Sequence, residues 1–161
     1  MGADVSDSLY LLPGALYIGN EVNEVKTLLG SCVAVTLWHP ADKICAMTHI
    51  VLPASSQDVH SPKYATGAIH HLLQAMSRYG YQPKDFKTGI YGGGRMFGND
   101  DSPGVIDVGN SNVKKTAGLL KESGFRVAEQ DVLGGIYRHV MLDRATGLVR
   151  VKGTAVSATM T

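Results

Sequence analysis

Glycine breaks this chain into short pieces. Nineteen glycines fall among 161 residues, well above the usual share of roughly 7 %. The apolar runs between them are only five to nine residues long, at 33–37, 44–52, 87–91, 125–133, 136–142 and 148–152. Runs of that length bounded by Gly, Pro, Asn and Asp read as strands and turns rather than long helices. His39-Pro40-Ala41-Asp42 separates the first two runs and predicts a hairpin. Gly134-Gly135 and Ala145-Thr146-Gly147 predict the turns of a C-terminal meander built from the last three runs.

Two segments carry helical periodicity instead. In the first, Ser61 is a hydroxyl cap, Pro62 suits the first helical position, and Gly80 is a stop. Ile69, Leu72, Leu73 and Met76 form one apolar stripe between them. The second predicted helix spans 111–123, with Val113, Ala117 and Leu120 on one face and Gly124 as its stop. Two helices among roughly eight strands that do not alternate with them predict an α+β fold, not a doubly wound parallel sheet.

A net charge of +1 and 44 % hydrophobic residues argue against a disordered chain and against strong non-specific nucleic-acid binding. The length suits one domain over 1–161. No apolar run is long enough to span a bilayer. Acids stand where a secretory signal needs a basic start, so cytoplasmic residence with reduced thiols is the expectation. Two cysteines do not make a disulfide framework.

The common nucleotide and metal motifs are missing. Gly92-Gly93-Gly94-Arg95-Met96-Phe97-Gly98 lacks dinucleotide spacing, and no Gly-Lys-Ser/Thr closes a phosphate loop. Gly109-Asn110-Ser111-Asn112-Val113 lacks the last glycine of a nucleophile elbow. Cys32 and Cys45 are 13 residues apart and no HExxH is present. His70 and His71, adjacent on a helix, point about 100° apart and do not share a metal readily.

What remains is a cysteine at a turn and a histidine on the following strand. Leu29-Gly30-Ser31-Cys32-Val33 puts Cys32 where a glycine turn enters a strand, and backbone N–H groups of Ser31 or Cys32 at such a turn suit an oxyanion. His49 follows 17 residues later, in the second arm of the predicted hairpin. A free thiol is only a few per cent thiolate at neutral pH, so it needs a base beside it to attack a carbonyl. A third group must then orient the imidazole, and Thr27 is a candidate through its hydroxyl or carbonyl. At this point Cys32 has two further readings: a small buried apolar residue, or a redox-sensing thiol oxidised to a sulfenate or bridged to Cys45. Cys45, mid-strand with no turn beside it, reads as core, and His139 within a strand reads as structural.

These segments resemble the CheD family of chemoreceptor glutamine deamidases. The likeness rests on Thr27-Leu-Leu-Gly-Ser-Cys-Val-Ala-Val-Thr-Leu-Trp38, Ala46-Met-Thr-His-Ile-Val-Leu-Pro53 and Tyr91-Gly-Gly-Gly-Arg-Met-Phe97. Asp107-Val-Gly-Asn-Ser-Asn112, Leu133-Gly-Gly-Ile-Tyr-Arg138 and Thr146-Gly-Leu-Val-Arg-Val-Lys152 extend it, so that it covers roughly residues 14–153. The resemblance implies a protein-glutamine amidohydrolase with Cys32 as nucleophile, His49 as general base and acid, and Thr27 as third member. It implies two packed β-sheets flanked by helices in an α/β/β/α layering, similar to the catalytic domain of cytotoxic necrotizing factor toxins. The implied substrate is a Gln side chain on the cytoplasmic helices of a methyl-accepting chemotaxis protein. A CheC-type phosphatase is an implied partner of some relatives. No cofactor, metal, nucleic acid or membrane insertion is implied. A non-catalytic adaptor that binds receptors or such a phosphatase is the alternative function.

Overall fold

The computed structural model describes residues 8–96 and 107–156. Phe97, in the glycine-loop motif quoted above, lies outside the described residues. The observed class is α+β, with nine strands and two helices among those residues. In chain order the strands are β1 Ser8–Tyr10, β2 Leu16–Gly19, β3 Glu24–Leu29, β4 Val33–His39, β5 Ile44–Thr48, β6 Lys87–Gly92, β7 Val127–Val132, β8 Ile136–Asp143 and β9 Val149–Ala155. The helices are α1 Ala65–Tyr79 and α2 Val108–Glu122. Two mixed sheets result, a four-stranded sheet ordered β1-β3-β8-β9 and a five-stranded sheet ordered β2-β5-β4-β6-β7.

Side-chain alternation explains why the sheets stack. The four-stranded sheet turns Val25, Leu29, Val140 and Leu142 inward, where they pack with Ala34, Met47 and Tyr91 of the other sheet. The opposite face of the five-stranded sheet presents Val33, Val35, Leu37 and Ile90 to Ile69, Leu72 and Met76 of α1 and Leu120 of α2. β4, β5 and β6, at the middle of that sheet, are therefore buried on both faces, and all five residues of β5 are buried. Cys45 belongs to the inter-sheet core at 0 % exposure, as its sequence position predicts.

Helices on both outer faces, the expected α/β/β/α layering, are corrected to helices on one face. Both described helices pack against the five-stranded sheet. The outer face of the four-stranded sheet carries Tyr137, His139, Arg150 and Lys152, which are exposed and need no covering layer. The expected C-terminal meander is corrected too. β7 leaves it to pair in parallel with β6, so only β8 and β9 form the hairpin. Gly134 and Gly135 therefore link the two sheets instead of turning a hairpin.

α1 keeps the predicted stripe and its Gly80 stop, with φ +80 at that glycine. Its start differs. Ser61 is not the cap; Tyr64 is extended and bridges Leu52, and Ala65 N–H is satisfied by the Leu52 carbonyl at 3.0 Å. α2 begins at Val108, capped by Asp107 accepting from the Asn110 N–H. Its buried face is Gly109, Asn112, Thr116 and Leu120, so the predicted stripe through Ala117 is displaced by one residue. No helix among the described residues is long and apolar enough to cross a membrane.

Candidate active site

The hairpin of β4 and β5 sets the relation between Cys32 and His49. Its register pairs Thr36 with Met47 and continues past the strand ends to Val33 opposite Ile50. Two short bonds, Val33 N–H to Ile50 O at 2.9 Å and Ile50 N–H to Val33 O at 2.8 Å, close that last rung. In this register Cys32 and His49 are diagonal neighbours on one face, a relation that spans roughly 7–8 Å between backbones and suits long side chains. The same face carries Ala34 and Met47, so both groups look toward the other sheet.

Thr27 comes from that other sheet. It lies on β3 opposite Val140 and is fully buried. Its Oγ1 is 2.7 Å from His49 Nδ1 and 2.7 Å from the Leu11 carbonyl oxygen. A carbonyl only accepts, so the single hydroxyl proton goes to Leu11 and Oγ1 accepts from Nδ1–H. This assigns the ring proton to Nδ1 and leaves Nε2 as the basic nitrogen. Thr27 and His49 thus meet across the seam between the sheets. The segment Leu11–Ala15 is tied to the His49 backbone, since Gly14 N–H donates to His49 O and His49 N–H donates to Ala15 O.

Burial favours the neutral form of both the Cys32 thiol and the His49 imidazole. Burial lowers the His49 pKa below its ordinary 6.5, with the Leu11 carbonyl opposing. Burial raises the Cys32 thiol above its ordinary 9.0. No hydrogen bond links Cys32 Sγ to His49, and both cysteines are free. A raised thiol pKa disfavours the redox-sensor reading, which needs a thiolate. Two neutral groups suit proton transfer during attack rather than a preformed thiolate–imidazolium pair. If His49 is the base, activity must hold while it is neutral, so kcat/KM is expected to fall only below pH 6.5. Alkylation of Cys32 by iodoacetamide is expected to rise only at alkaline pH. The linkage has the same sign: below pH 6.5 the unfolded chain binds the proton first, and stability is lost as pH falls through the lowered value.

The glycine loop supports the cysteine turn. Gly93 N–H donates to Cys32 O and Gly94 N–H to Gly30 O, each at 2.8 Å. Gly92 has φ +106, and a Cβ there would stand 2.2 Å from the Cys32 carbonyl oxygen. Gly92→Ala is therefore expected to cost more than about 1 kcal/mol, read as a lower melting temperature, and to displace Cys32. Ser31 and Cys32 N–H donate to no acceptor among the described residues, leaving two donors at the turn.

Sequence reasoning passed over two buried polar groups beside this turn. Arg138, 2 % exposed, donates to Asp131 Oδ1 at 3.0 Å, Gly92 O at 3.3 Å and Leu133 O at 2.5 Å. Asn112 is fully buried under the turn. Both lie in segments already quoted, and the signal was a polar residue at a core position. The other histidines stand apart from the site. His39 stacks on Tyr81 with centroids 4.4 Å apart, His71 Nε2 is 2.7 Å from His60 O, and His139, read as structural, is exposed on the outer sheet face. Among the described residues no group of three or more His, Cys, Asp or Glu is placed to hold a metal.

Fold and site define an α+β protein with a thiol and a threonine-bound imidazole at the seam of two packed sheets. The family profile described as CheD chemotactic sensory transduction matches residues 51–153. "Probable chemoreceptor glutamine deamidase CheD 2" of Albidiferax ferrireducens is 31 % identical over 143 residues, covering 86 % of this chain and 83 % of that protein. "Probable chemoreceptor glutamine deamidase CheD" of Methanococcus vannielii is 37 % identical over 142 residues, covering 86 % of this chain and 90 % of that protein. This chain belongs to the CheD family. Among solved structures, Bacillus licheniformis hypothetical protein YfiH aligns at 14 % identity and TM-score 0.45, over 69 % of this chain and 47 % of that one.

Proposed function

We propose that this protein is a protein-glutamine glutaminase that converts Gln side chains of methyl-accepting chemotaxis receptors to Glu with release of ammonia. The observation that carries the reading is the Thr27–His49 hydrogen bond on the sheet face that also bears Cys32. The names of the relatives support the same activity. Cys32 Sγ attacks the amide carbonyl carbon while His49 Nε2 takes the thiol proton. The Ser31 and Cys32 N–H groups receive the developing oxyanion. The imidazolium gives its proton to the nitrogen, ammonia leaves, and a thioester forms. His49 then takes a proton from water, which attacks the thioester and returns the thiol. Thr27 holds the ring in the Nδ1–H form throughout.

In this reading residues 1–161 form one deamidase domain whose two-sheet core shares its plan with the catalytic domain of cytotoxic necrotizing factor toxins. It works in the cytoplasm without cofactor, nucleic acid or membrane insertion. Its partners are receptor helices and a CheC-type phosphatase. The test is to incubate receptor cytoplasmic fragments with the protein, then map amide-to-acid conversion by mass and measure ammonia. Conversion at defined glutamines is the expected result. A stable complex with no conversion on long incubation would overturn the enzyme in favour of the adaptor.

A further inference from the structure

We propose that Asn112 is a positioning residue that staples the cysteine turn to the histidine segment. The proposal rests on Cys32 and His49 being the reacting pair. β4 and the segment after β5 run as a ladder to the Val33–Ile50 rung and then separate. Beyond it, Val51 and Leu52 turn their N–H groups to the Lys63 carbonyl, at 2.8 and 3.3 Å. Asn112 fills the gap. Its Nδ2 donates to Ser31 O at 3.0 Å and to Val51 O at 2.9 Å. Ser31 immediately precedes Cys32, and Val51 stands two residues past His49. Neither carbonyl has another hydrogen bond among the described residues. One amide nitrogen therefore replaces the missing rung on the two strands that carry the thiol and the imidazole.

The orientation of the amide follows from its neighbours. Both are carbonyls, which only accept, so the NH2 end must face them. Oδ1 is then left buried with no partner among the described residues. An orphaned buried carbonyl destabilises a core, and leucine would fill this site without one. The residue is explained by its two donated bonds and not by packing. Those bonds hold the diagonal Cys32–His49 relation, in which a shift of about 1 Å costs on the order of 100-fold in rate.

The test compares wild type with Asn112→Asp and Asn112→Ser, each measured below its melting temperature. Asp is isosteric but sets an oxygen against both carbonyls, whereas Ser retains a single donor and packs with less strain. We expect kcat on a receptor fragment to fall roughly 10- to 100-fold in Asn112→Asp, with KM held within about twofold. Asn112→Ser is expected to fall between that variant and wild type. Lowering the pH protonates the new carboxyl and restores a donor, so the ratio of Asn112→Asp to wild-type kcat should rise toward acid. A packing role alone would lower the melting temperature of both variants and leave that ratio flat. Wild-type kcat in both folded variants, or a flat ratio, would overturn the proposal. Failure of the catalytic reading shows separately, as wild type that converts no glutamine or as conversion that survives Cys32→Ala.

Discussion

Cys32→Ala is expected to stop glutamine conversion while leaving the fold in place. The loss should be at least ~10,000-fold in kcat, because covalent catalysis has no substitute nucleophile once the thiol is gone. Cys45 offers no rescue. It is fully buried between the sheets, and burial pushes its thiol up to about 11. Stability should change little, since Cys32 is only partly buried and its Sγ holds no hydrogen bond among the described residues. Peptide mapping of a receptor fragment gives the rate, and a melting curve checks the fold. The same melting curve with wild-type conversion would remove Cys32 from the chemistry.

Arg138→Met is expected to produce the largest loss of stability. The guanidinium is buried and satisfies two backbone carbonyls, those of Gly92 and Leu133, besides the Asp131 carboxylate. Methionine keeps most of the stem but donates nothing, so the Gly92 carbonyl keeps only the Leu133 N–H at 2.8 Å and the Leu133 carbonyl loses its charged donor. The Asp131 side chain is 46 % exposed and rehydrates, which limits the cost to about 2–4 kcal/mol. Denaturant unfolding reads that change. Activity should fall further than stability alone explains, because Gly92 begins the loop whose neighbours hold Cys32 and Gly30. A midpoint within experimental error of wild type would show that the carbonyls find other donors.

Local signals account for the parts of this fold that were legible. The β4–β5 hairpin follows from a turn sequence between two apolar runs. α1 follows from the Ile69–Met76 stripe and Gly80. Non-local pairing hid the rest. β1 and β2 have three and four residues, too few for a periodic pattern. β3 reads poorly because the buried positions of its alternation include a threonine, Thr27, the residue that meets His49. β7 looks like the start of a meander, yet it pairs with a strand some forty residues earlier in the chain. Cys32 and His49 were legible because one hairpin register relates them. Thr27 could be named as a candidate orienter from the sequence, but its meeting with His49 depends on how two sheets stack, which local pattern does not encode. Asn112 and Arg138 escaped notice because a buried polar residue has no periodic signature, only partners.

Attack of the Cys32 thiol on a glutamine side-chain carbonyl is the step on which the proposed chemistry depends. A receptor peptide whose target carboxamide is replaced by a chloromethyl ketone tests it most directly, because the sulfur displaces chloride and the thioether stays attached. Peptide mapping of the adduct should place the peptide on Cys32. An adduct on Cys45 or any other residue would contradict the claim. So would the absence of any adduct from a preparation that still converts the parent glutamine peptide.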